Sequence, residues 1–131
     1  MRVMVDTNIL FSAIIFPKGQ AAKAFTHCLL NHELVISTYV ISELKQVIMR
    51  KKPELIPHID AFLEKLSFEL AYTPDNIEDG LFSIRDPKDS PVLYTAIIEN
   101  VDVLISGDKD FKETDVTHPE ILTPQEFLEK Y

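Results

Sequence analysis

Four acids stand where short apolar runs end or helices begin. Asp6 follows residues 2–5, Arg-Val-Met-Val, and Asp108 follows the run 103–106 and a glycine. Glu43 lies just beyond the run 34–37, and Asp89 closes an Asp-Pro-Lys-Asp stretch that begins at Asp86. Two carboxylates roughly 5 Å apart repel by about 3 kcal/mol at an effective dielectric near 20, so a cluster of three or four needs raised pKa values or a divalent cation. An all-oxygen site of this kind suits Mg²⁺ or Mn²⁺ rather than Zn²⁺. His27, His32, His58 and His118 are scattered, Cys28 is the only cysteine, and no Cys/His ligand spacing or Ser/His/Asp arrangement is recognisable.

Each acid also has a local reading. Asp6 could accept hydrogen bonds from backbone amides of its own loop. Asp86 reads first as a helix-capping acid favoured by the helix dipole, and Asp110 as the cap of a short helix beginning at Phe111. Glu43 falls beside the apolar face of Val40, Leu44 and Val47, where a purely solvated role is less comfortable. Ser106-Gly107-Asp108 is ordinary turn chemistry when taken alone.

The elements that must position these residues alternate strand and helix signals. β-rich runs at 2–5, 34–37 and 103–106 read as strands, with weaker ones at 68–71 and 120–122. Between them, residues 21–30 place Ala21, Ala24, Phe25 and Cys28 on one helical face. Ser37 or Thr38 can cap a helix reaching Arg50, which Pro53 discourages from continuing. Further helices are expected over 56–66 and 87–99, and Thr123 with Pro124 at the first helical position opens a last one. Short apolar strands separated by helices predict an α/β fold, a three-layer α/β/α sandwich around a parallel sheet of about five strands. In such a sheet ligands sit outside the carboxyl ends of the strands, which is where the acids fall.

With 131 residues, no repeat and no linker, the chain reads as one domain over 1–131. No stretch is long and apolar enough to span a bilayer, and the lone cysteine fits a reducing compartment, so a soluble cytoplasmic protein is expected. Thirteen basic against 21 acidic residues leave a net charge of −8, the wrong sign for nonspecific adhesion to nucleic acid. A nucleic-acid enzyme would then need bound cations or local basic groups. Lys88 and Lys109, each beside an acidic motif, are the candidate phosphate contacts. Arg50, Lys51 and Lys52 fit better as complements to a helix carboxyl end.

The chain resembles the PIN domain nucleases, most closely the PIN-family toxins of prokaryotic toxin–antitoxin systems. The resemblance rests on "VMVDTNILFSAIIFPKGQAAKAF", "STYVISELKQVI", "RDPKDSPVLYTAI" and "DVLISGDKDF", in this order and spacing. It implies that Asp6, Glu43, Asp89 and Asp108 form the catalytic, metal-binding cluster, with Asp108 preferred to Asp110 by the Gly-Asp match. It further implies that Asn8 is a polar support in the first loop, that Ser106 borders the site, and that Asp86 and Asp110 support it. Ser90 stands where relatives often carry a further acid, so the resemblance does not extend to that position. The implied activity is a Mg²⁺- or Mn²⁺-dependent endoribonuclease, in which metal-activated water hydrolyses an RNA phosphodiester, leaving a 5′-phosphate and a 3′-hydroxyl. The implied partners are an RNA substrate, a protein antitoxin and a second copy of the chain, meeting through residues 72–85 or the helix at 56–66.

Two rival readings differ in what they require. A PIN-like binding module without turnover, acting through protein partners, would not need all four acids. A haloacid-dehalogenase-like phosphatase would need an acid two residues beyond Asp6, where Asn8 stands.

Overall fold

The computed structural model describes residues 1–74, 90–113 and 116–131. Its centre is a sheet of five strands, β1 (Arg2–Val5), β2 (Glu33–Ser37), β3 (Glu69–Ala71), β4 (Val103–Ile105) and β5 (Glu120–Leu122). They lie in the order β3-β2-β1-β4-β5, and every neighbouring pair is parallel. Consecutive residues of a strand point to opposite faces. Val3, Met4 and Val5 are nonetheless all fully buried, as are Leu104 and Ile105, so both faces of the sheet are covered. The three-layer arrangement expected from the alternating pattern is the one found.

The connecting helices are α1 (Thr7–Ile15), α2 (Gln20–Asn31), α3 (Thr38–Lys51), α4 (Ile56–Lys65), α5 (Ser90–Ile98), α6 (Lys109–Lys112) and α7 (Pro124–Lys130), with a 3₁₀ turn at Pro53–Leu55 before α4. Ser37 caps α3, its hydroxyl accepting from Val40 N–H at 3.1 Å. On the inner face of α3, Val40, Leu44 and Ile48 are fully buried. Thr123 and Glu126 form a reciprocal capping box at α7, with Pro124 following the cap. Just beyond the end of α5, Asn100 turns the chain back with a positive φ of 52°, while Val101 N–H bonds the Ala96 carbonyl and Asn100 N–H that of Ile97.

Two local expectations are corrected. Asp6 is not followed by a loop: α1 begins at Thr7, and Asn8 is an exposed residue of its first turn. The cap of the short helix after β4 is Asp108, while Asp110 lies within that helix. Asp86, Lys88, Asp89, the expected helix start at 87 and most of the 72–85 stretch lie outside the described residues.

The strand order fixes where a site can form. From β1 the chain moves outward through β2 to β3, then returns to the other side of β1 to lay down β4 and β5. The reversal opens a crevice at the carboxyl ends of β1 and β4, the topological switch point where parallel sheets bind ligands.

Candidate active site at the switch point of the sheet

Asp6 leaves β1 at this crevice. Its amide continues the sheet ladder by donating to the Ile105 carbonyl at 3.2 Å, and its extended backbone turns into α1. Oδ1 accepts from Ile9 N–H at 2.9 Å, capping that helix, while Oδ2 accepts from the Ser106 hydroxyl. The side chain is therefore both the local cap and a buried acid, with 6 % of its surface exposed.

Burial pushes the Asp6 carboxyl up from 3.8 to about 6. The bonds from Ser106 and Ile9 oppose the rise, and the charges of Asp108 and Glu43 add to it. A carboxylate that is desolvated and faces two like charges is held at a cost, which a cation would relieve.

Ser106 joins the two strand ends. Its amide donates to the Leu122 carbonyl on β5 at 2.9 Å, and the residue is fully buried. Its Oγ donates to Asp6 and accepts from Asp108 N–H at 3.0 Å, so one hydroxyl sets the turn after β4 against the end of β1. Asp108 in turn caps α6, with Oδ1 accepting from Asp110 N–H at 2.9 Å. A β-carbon added at Gly107 would meet nothing within 4 Å, so the exposed turn does not require a glycine for space. Lys109 follows directly and is exposed.

Glu43 reaches the same region from the second turn of α3. It is half-buried, and Tyr39 Oη donates to its Oε2 at 3.0 Å. Thr7 adds a buried hydroxyl with no hydrogen-bond partner. Asp6, Ser106 and Asp108 are thus brought together by hydrogen bonds, and Glu43 joins them through its charge. Asn8 and Asp110 are placed on the first turns of α1 and α6.

The oxygen-rich donor set fits a hard divalent cation. Asp6, Glu43 and Asp108 would supply the carboxylates, and the unpartnered Thr7 hydroxyl is a further oxygen nearby in sequence. Among the described residues, however, no three acid, imidazole or thiol groups converge closely enough to hold an ion unaided.

The basic end of α3 is elsewhere. Arg50 and Lys51 occupy its last turn, about 20 Å along the helix from the Ser37 cap, and Lys51 Nζ sits 5.5 Å from the Phe11 ring centre. The histidines are less scattered than their spacing suggests. His27 and His32 stack edge-on at 5.9 Å and both meet Phe127, forming a seam between α2 and α7. The signal was their i, i+5 placement across a helix end, which neither helical nor strand periodicity reveals.

Among curated proteins none matches the chain. The solved structure described as VapBC2 from Rickettsia felis bound to a DNA fragment from their promoter shares the fold, with a TM-score of 0.66 and 22 % identity over 93 % of this chain and 97 % of that one. The family model for the PIN domain matches residues 2–110, a span that contains Asp6, Glu43, Asp89 and Asp108. With that match over most of its length, and with Asp6 and Asp108 at adjacent strand ends of a five-stranded parallel sheet, the chain belongs to the PIN domain family.

Proposed function

We propose that this PIN domain is a Mg²⁺- or Mn²⁺-dependent endoribonuclease and the toxin component of a toxin–antitoxin pair. The observation that carries the reading is the buried Asp6 carboxylate, raised to about 6 and facing the charges of Asp108 and Glu43 at the switch point. Such an arrangement costs stability and has no structural return that a neutral cap would not give equally well. When bound, a divalent cation would supply a positive charge for the phosphate and a more acidic water for attack on phosphorus.

The chain's own residues do the rest. Asp6 and Asp108 supply oxygens on the two strand ends, and Ser106 fixes their separation through its two hydrogen bonds. Glu43, oriented by Tyr39, supplies a third carboxylate or a proton acceptor for the attacking water. Lys109, exposed beside Asp108, is placed in sequence to meet a phosphate oxygen. Asp89 as a fourth acid, with Asp86 and Lys88 beside it, belongs to the same proposal. The expected products carry a 5′-phosphate and a 3′-hydroxyl.

The partner side of the reading draws support from the family and from the fold it shares with a protein described as VapBC2. A protein antitoxin, a homodimer and a cytoplasmic setting follow from it as proposals. No helix among the described residues is long and apolar enough to cross a membrane. Size-exclusion chromatography showing only monomer would remove the homodimer.

The test is a thermal melt of the metal-free protein with and without millimolar Mn²⁺, on wild type and on Asp6→Asn, Asp89→Asn and Asp108→Asn. An ion that binds only the native state raises the melting temperature. A rise in wild type that the three variants lack is the expected result. Equal rises in all four proteins would remove the acids from the metal site.

A further inference from the structure

The outer face of α3 holds a shallow groove of about 550 Å³, lined by Ser42, Lys45, Gln46, Met49 and Arg50. Four of these five residues are polar, yet carbon makes up most of the lining, so the long side chains present their aliphatic stems and carry their charges at the rim. Met49, 58 % exposed, is the one apolar side chain among them.

The cations of this helix are engaged to different degrees. Lys45 Nζ lies 3.2 Å from Asp60 Oδ1 on α4, and Lys51 sits over the Phe11 ring. Arg50 is exposed and, among the described residues, has no ion-pair partner. In a chain of net charge −8, an unneutralised guanidinium beside an apolar wall attracts an anion that also has an apolar face.

Glu43, Gln46 and Arg50 follow an i, i+3, i+7 spacing, which lines one side of a helix. A rise of about 1.5 Å per residue places Arg50 roughly 10.5 Å beyond Glu43. The last turn of α3 is thus remote from the turn that joins Asp6, Ser106 and Asp108, but it continues the side of the helix that carries the third acid. An unstacked nucleotide offers both things the groove can hold, a phosphate for the guanidinium and a flat base face for the apolar wall, and single-stranded RNA is recognised through such splayed bases. We infer that the groove is a subsite for one nucleotide of single-stranded RNA flanking the scissile phosphate, with Arg50 on its phosphate and Met49 against its base. The inference rests on the ribonuclease reading proposed above. An acidic protein helix would also suit an apolar wall with cations at its rim; the side of α3 shared with Glu43 favours the substrate.

The experiment is steady-state cleavage of a labelled single-stranded RNA at saturating Mn²⁺ over a series of KCl concentrations, on wild type, Arg50→Gln, Met49→Ser and, as a cation outside the groove, Lys23→Gln. All three positions are exposed, so the variants are expected to fold as wild type does. Each phosphate contact to a single strand contributes about 0.7 to the slope of log affinity against log salt, which is about fivefold in affinity at roughly 0.1 M. Arg50→Gln is therefore expected to raise KM about fivefold at that salt, to lower the salt slope by about 0.7 and to leave kcat as in wild type. Met49→Ser is expected to raise KM with the slope unchanged, and Lys23→Gln to change neither. Arg50→Gln with the KM and slope of wild type overturns the inference: the arginine then only complements the α3 dipole, and the groove is left to a protein partner. Met49→Ser with the wild-type KM overturns it too, since a groove that meets no base is no nucleotide subsite. So does Lys23→Gln losing as much as Arg50→Gln, which reports net charge alone. Wild type that cleaves no RNA is a different failure, that of the ribonuclease reading itself.

Discussion

Replacing Asp6 by asparagine should stabilise the metal-free protein. Its carboxyl rises from 3.8 to about 6, so ionising it in the native state costs about 3 kcal/mol relative to the unfolded chain. Between these two values the native state binds more protons than the unfolded state, so stability falls as pH rises through the window. The cost is fully present above about 6 and absent below 3.8. Asparagine keeps the cap, because its carbonyl oxygen can accept from Ile9 N–H. Its amide must then face Ser106, whose hydroxyl proton loses its acceptor, and that takes back about 1 kcal/mol. The net gain is about 2 kcal/mol at neutral pH, or about 8 °C in Tm at roughly 4 °C per kcal/mol for a domain of this size. Urea denaturation in EDTA across the acid range measures it. A variant no more stable than wild type at neutral pH, or a gain that persists unchanged below pH 3.8, would refute the view that Asp6 is held ionised at a cost.

Ser106→Ala removes the donor to Asp6 and the acceptor of Asp108 N–H, so it should cost about 2 kcal/mol in denaturant and push the Asp6 carboxyl higher still, widening the pH window read from stability profiles. His32 is held below the ordinary imidazole value by burial first, then by the amino terminus and His27. The unfolded chain therefore takes up a proton before the native state does, and stability is lost as pH falls below about 6.5; His32→Phe should flatten that limb in the same profiles. Thr123→Ala, which breaks the capping box of α7, should cost about 1 kcal/mol and lower Tm by about 4 °C in calorimetry.

Much of this architecture can be read from local pattern. Apolar runs such as Leu34–Ser37 need burial on both faces, and Ser37, Thr123 and Pro124 are helix-start residues whose chemistry does not depend on distant partners. α1 is the exception. Thr7–Ile15 is rich in isoleucine and carries apolar residues all round, so it shows no polar face to mark a helix period, and its cap is itself a site acid. The placement of the cap at Asp108 rather than Asp110 was likewise hidden, since either spacing satisfies the cap preference. The Asp6–Ser106 bond spans 100 residues of sequence and exists only because β1 and β4 are neighbours in the sheet. That Asp6 and Asp108 follow strand ends was legible; that one hydroxyl couples them was not.

The decisive measurement is cleavage of a fluorescently labelled single-stranded RNA by the purified chain in Mn²⁺, with EDTA and with the Asp6→Asn and Asp108→Asn variants in parallel. A metal-dependent nuclease gives internal cleavage by wild type, products with a 5′-phosphate and a 3′-hydroxyl, and a loss of at least about a hundredfold in both variants, the scale seen when charge stabilisation in the transition state is removed. Cleavage that survives EDTA or either substitution, or an RNA left intact by a wild-type protein that binds Mn²⁺, would contradict it.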